Sequence, residues 1–124
     1  MAAQNQNATQ WLGDDGTITI TVTDDSGNIV NISGVEAFYW VGKNAKAAGL
    51  DVYVKKEVGG GITLNGSAGQ IVISLTGLDT ETLQAGRFYH ECRIKDLTGD
   101  WTTVTTGTLT IVQTMIPDSA GSSG

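Results

Sequence analysis

His90 and Cys92 are the two residues whose chemistry would matter most, because a thiolate beside an imidazole is a nucleophile. On an extended strand, residues i and i+2 share a face and stand roughly 7 Å apart. That spacing does not allow the direct hydrogen bond of about 3 Å that a base and its nucleophile need. The expectation is a half-buried histidine beside a thiol that packs as a small hydrophobe. Asp24, Asp25, Ser26 and Asn28 offer the oxygens of a calcium loop. Such a loop wants glycine at its sixth position and a bidentate acid at its twelfth. Counted from Asp24, those positions hold Ile29 and Val35, so a plain hairpin turn is expected. Gly59-Gly60-Gly61 is not followed by the Gly-Lys-Ser/Thr of a phosphate-cradling loop, and reads as a strand break.

Composition narrows the chemistry further. The 124 residues contain one His and one Cys, which leaves no internal disulfide and no multi-cysteine zinc site. No catalytic residue, metal or cofactor is assigned. A net charge of −6 speaks against nucleic acid, which is held largely by clustered Lys and Arg. No apolar run approaches the roughly 18 residues of a membrane helix. Residues 1–10 are polar and uncharged and lack the basic start and apolar middle of a secretion leader. The sequons at Asn7, Asn31 and Asn65 are therefore expected to stay unmodified.

The elements follow from period-two alternation. Ile18, Ile20 and Val22 alternate with Thr17, Thr19, Thr21 and Thr23, the pattern of a half-buried strand. Further strands are predicted over 29–32, 35–41, 51–57, 62–64, 70–75, 86–95 and 101–112. One helical turn is predicted at Asp79–Gln84 with Asp79 as its cap, and another is possible near Asn44–Ala48. Such spacing predicts an all-β protein, an antiparallel immunoglobulin-like sandwich of about eight or nine short strands. The sandwich is placed at 14–112, between an N-terminal arm at 1–13 and a C-terminal tail at 113–124. Both ends are polar and expected to be mobile unless a partner orders them through Trp11, Leu12, Met115 and Ile116.

The segments "DDSGNIVNISGVEAFYWV", "GQIVISLTGLDTETLQAGRFYHECRIKDLTGD" and "VTTGTLTIV" carry a resemblance. Over roughly residues 15–112 the chain resembles the N-terminal immunoglobulin-like domain of the phage baseplate upper protein family. The shared features are turn glycines and strand alternation. Ile32-Ser33-Gly34 stands where the family has Leu-Thr-Gly, and Phe88 and His90 where it often has two tyrosines. The resemblance implies that Val35, Ala37, Tyr39 and Val41 face the core, with Phe88, His90, Cys92 and Ile94. Glu36, Phe38 and Trp40 then point outward; the opposite choice of face would expose Tyr39.

Phe38 and Trp40 are the leading candidates for a partner interface, because a monomer seldom exposes neighbouring large aromatics without a use. Lys43, Lys46, Lys55 and Lys56 concentrate the basic residues in one stretch. Lys43 and Lys46 join the interface set as a pole for an acidic neighbour. The resulting expectation is a non-enzymatic bacteriophage virion protein, made in the host cytoplasm. Its partners would be the major capsid protein or tail and baseplate proteins, and it would self-associate as a homo-oligomer. No fibre follows the domain, which favours capsid decoration over baseplate or tail attachment. A carbohydrate- or receptor-binding module, stacking sugars on Trp40, Tyr53 and Trp101, is the other alternative.

Overall fold

The computed structural model describes residues 4–43 and 52–113. The strands are β1 (Gln4–Asn5), β2 (Ala8–Trp11), β3 (Gly16–Thr21), β4 (Glu36–Gly42), β5 (Val52–Val58), β6 (Gly61–Asn65), β7 (Gln70–Leu75), β8 (Gly86–Lys95) and β9 (Trp101–Val112). One short helix, α1 (Gly77–Leu83), lies between β7 and β8. The possible turn at Asn44–Ala48 lies outside the described residues.

All nine strands form one mixed sheet in the order β1-β9-β8-β4-β5-β6-β7-β3, with β2 also on β9. The chain is all-β, as expected, but a purely antiparallel sheet is corrected on two counts. β1 and β2 run parallel to β9, and β5 runs parallel to β6. The second case depends on the glycine run. Gly59 and Gly61 adopt φ of +86° and +104°, which residues with a Cβ rarely reach, so the chain loops over and re-enters the sheet in the same direction. Only Glu57–Gly61 and Val58–Ile62 pair across this join. The sheet curls into a barrel-like shape, and its two ends approach each other. There the Gln6 side-chain amide donates to the Thr19 carbonyl of β3 at 3.4 Å.

Of the arm expected at 1–13, the described part joins the sheet by the same pairings, over Gln4–Asn5 and Ala8–Trp11. Gln6 N–H donates to the Thr106 carbonyl and Leu12 N–H to the Val112 carbonyl, each at 2.9 Å. Asn7 Oδ1 caps the ladder by accepting from Thr108 N–H. Leu12 packs on the core, whereas Trp11 stays exposed. A polar, Gln/Asn-rich stretch shows no period-two apolar signal, but its amides satisfy a sheet edge well.

Inward residues from every long strand share a single core. Ile18, Ile20, Ala37, Tyr39, Val41, Val54, Ile71, Ile73, Cys92, Ile94, Leu109 and Ile111 are all buried in it. The turn after Thr23 is a hairpin turn, as expected: Asp24 Oδ1 accepts from Ser26 N–H and Asn28 N–H, both at 2.9 Å. The strand predicted at 29–32 reduces to one bridge, Thr23–Ile29. Ile32 is buried but donates its N–H to the Gly66 carbonyl, so its backbone partner lies outside any ladder. The helix begins earlier than predicted. Thr76, not Asp79, is the cap, and the two form a reciprocal capping box, with Thr76 N–H donating to Asp79 Oδ2 at 2.9 Å.

Candidate functional site

β4 divides its side chains between two environments. Ala37, Tyr39 and Val41 are buried, while Phe38 is half-buried and Trp40 is 38% exposed on the other side. This is the choice of face expected for the strand. Strand register then decides which groups flank the outward rings. Phe38 sits between Glu57 of β5 and Arg93 of β8, and Trp40 sits between Lys55 and Glu91. Lys95 lies opposite Glu36 on one side and Trp101 of β9 on the other.

These neighbours organise the aromatic face. Lys55 Nζ lies 4.6 Å from the centre of the Trp40 ring. The Arg93 guanidinium and the Lys95 ammonium lie 4.8 and 5.8 Å from the Trp101 ring. Phe38 and Trp101 meet at 5.3 Å between centroids with planes tilted by 34°. Cation–aromatic contacts at such exposed sites contribute about 0.5–1 kcal/mol each. Phe38 is therefore partly covered by Trp101, which is 47% exposed and becomes the outermost ring on this side. The described lysines of the 43–57 stretch point in different directions. Lys43 is exposed just after β4, and Lys55 covers Trp40. Lys56 turns away to pair with Asp79 Oδ2 at 2.7 Å. Lys46, Met115 and Ile116 lie outside the described residues.

Arg93, Lys95 and Trp101 were not in the interface set read from the sequence. Alternation with buried Cys92 and Ile94 puts Arg93 outward, and that much was readable. That β8 lies beside β4 on this side, with β9 beyond it, is a property of the topology.

The opposite face of β4 carries a sealed polar network. His90 Nε2 is 2.6 Å from the Gln6 carbonyl, and Nδ1 is 2.8 Å from the Tyr39 hydroxyl. A carbonyl only accepts, so Nε2 carries the proton and the Tyr39 O–H donates to Nδ1. Burial disfavours the imidazolium and lowers the His90 pKa, although the bond to Gln6 pulls the other way. Burial likewise raises the Tyr39 hydroxyl. Cys92 is buried and its thiol is pushed up to about 12, first by burial and then by the nearby Glu91 carboxylate. Both imidazole nitrogens are engaged and the thiol keeps its proton, so His90 and Cys92 form no nucleophilic pair. Among the described residues, no group of three His, Cys, Asp or Glu side chains converges in a way that could hold a metal.

No protein-family model matches this chain, and no curated protein does. Among solved structures, the chain is similar to the N-terminal domain of phage TP901-1 ORF48. The two superpose with a TM-score of 0.59 at 14% identity, over 89% of each chain. The chain has the fold of a phage protein domain. At that identity the fold is what is shared, and the residues of the outer face are this chain's own.

Proposed function

We propose that this chain is a non-enzymatic structural domain of a phage virion, and that the outer face of β5, β4, β8 and β9 is its docking surface in the particle. The observation that carries the reading is the fold shared with a phage domain over 89% of both chains. Three features support it. The turn and strand motifs over residues 15–112 resemble a baseplate family. The one His and the one Cys are both locked in the core. Trp40 and Trp101 stand exposed on a rigid sheet, where large aromatics serve as interface anchors. Within the virion, baseplate or tail attachment agrees with the motif resemblance, and capsid decoration is the other placement. Sugar stacking is the weaker reading, because cations already lie over both indoles.

The test is a Trp40→Ser, Trp101→Ser variant followed by its incorporation into particles. The variant should fold, because both rings are exposed, and should be lost from purified virions. Full incorporation of a folded variant would exclude this face as the docking surface. Quenching of wild-type tryptophan fluorescence by host-surface glycans would favour the sugar-binding reading instead.

A further inference from the structure

The charges that flank the two outward rings of β4 follow a reversing pattern. One rung of the sheet reads Glu57–Phe38–Arg93, acid, ring, base. The rung two residues further along β4 reads Lys55–Trp40–Glu91, base, ring, acid. The second rung is the first with every sign inverted. Turn one copy of this face onto another about a two-fold axis that crosses the strands midway between the rungs. Each rung then lies over the opposite rung of the other copy. Glu57 meets the partner's Lys55, Arg93 meets the partner's Glu91, and Phe38 meets the partner's Trp40. All four flanking charges of each copy find the opposite sign, and no like pair results.

We infer that this face pairs with the same face of a second copy of the chain, in that antiparallel, rung-exchanged register. The inference rests on the docking reading above and names the occupant of the face. The pairing is isologous, as closed two-fold interfaces must be. The geometry tolerates the natural twist of sheets. Sheets packed face to face lie about 10 Å apart and are rotated by about 30°. A flanking residue stands about 5 Å from β4, so the rotation moves it by roughly 3 Å, within reach of Lys, Arg and Glu side chains. A two-fold axis running along β4 is less favourable, because it sets Glu36 against the partner's Glu36. The four-strand face is about 19 Å wide and about 20 Å long, near 400 Å² in plan, so a micromolar rather than nanomolar dimer is expected.

Sedimentation equilibrium of the full chain between about 1 and about 200 μM should show a monomer–dimer equilibrium. Glu57→Lys sets ammonium against ammonium at two symmetry-related contacts, and Lys55→Glu sets carboxylate against carboxylate. Each variant alone should bind itself about tenfold or more weakly than wild type. An equimolar mixture of the two should recover the dimer as a heterodimer, because each wrong charge then faces the other variant's wrong charge. That recovery also shows that both variants are folded. A wild-type chain that stays monomeric throughout overturns the inference. So does a dimer indifferent to both substitutions, or a mixture that fails to recover. The docking reading fails separately. If wild type is monomeric but the Trp40→Ser, Trp101→Ser variant is lost from virions, the face docks on another protein and only the second copy is excluded.

Discussion

Tyr39 and Trp40 are adjacent in β4, yet they are held in opposite ways. Tyr39 has no exposed surface, and its hydroxyl donates to His90, whose other nitrogen holds Gln6 of the N-terminal segment. Among the described residues, Trp40 is held by a lysine lying over its ring and by the sheet beneath it. The inner ring is fixed by burial plus directed hydrogen bonds, and its loss would leave a cavity and orphaned polar groups. The outer ring is fixed by weak, non-directional contacts and keeps part of its surface exposed. One strand thus serves stability on one side and recognition on the other.

The largest expected effect breaks the inner side. Tyr39→Ala should cost about 3–5 kcal/mol, the usual range for truncating a buried aromatic, measured by urea unfolding. Trp40→Ala in the same assay should stay within about 1 kcal/mol, the range for exposed positions plus the lost cation contact. Equal losses would show that the two faces are not energetically distinct.

Tyr39→Phe isolates the hydrogen bond from the packing. It leaves His90 Nδ1 buried without a donor and should cost about 1–3 kcal/mol. A change near zero would mean that the network does not organise the core.

A pH titration sharpens the contrast without mutation. The folded His90 pKa lies below its ordinary value of 6.5. The unfolded chain therefore takes up the proton first as pH falls. The stabilising contribution of neutral His90 is fully present above that ordinary value and is lost between it and the lower folded value. Unfolding midpoints should begin to decline as pH falls through the ordinary imidazole value. A flat profile there would contradict the buried, neutral imidazole.

The smallest expected effect concerns Asp79, which holds α1 against β5. Burial raises its pKa, but Lys56 and the Thr76 groups together outweigh that, and the net shift is downward. Its contribution is present above the ordinary carboxylate value and is lost as pH falls through the folded one. Asp79→Asn should cost about 1 kcal/mol, for the weakened capping box and the lost Lys56 pair. Self-association should be unchanged, because Asp79 lies off the outer face.

Alternation made much of this legible in advance. The strands at 70–75, 86–95 and 101–112 have the bounds read from the sequence, and Phe38 and Trp40 are on the side expected. Two local readings failed for local reasons. Ile29–Ile32 is rich in β-branched residues, but its backbone bonds lead away from a ladder to Val22 and Gly66. The helix cap went to Thr76, because the reciprocal Thr–Asp bonding outweighs a lone aspartate.

What the sequence determined by itself is the β character of the chain, the turns and the sidedness of the cleanly alternating strands. These depend on residues a few positions apart, through side-chain period, Asx chemistry and glycine φ. What only the tertiary structure decided is which strands are neighbours. Residues 4–11 joined the sheet as parallel strands because a distant edge, β9, offered unpaired donors and acceptors. Arg93 and Trp101 reached Phe38, and Lys95 reached Trp101, because β8 lies beside β4 and β9 beside β8. The opposed rungs around Phe38 and Trp40 are likewise set by register between strands far apart in the chain. Pairing over such separations is settled by the closure of the whole sheet around one core, and no local window of residues contains it.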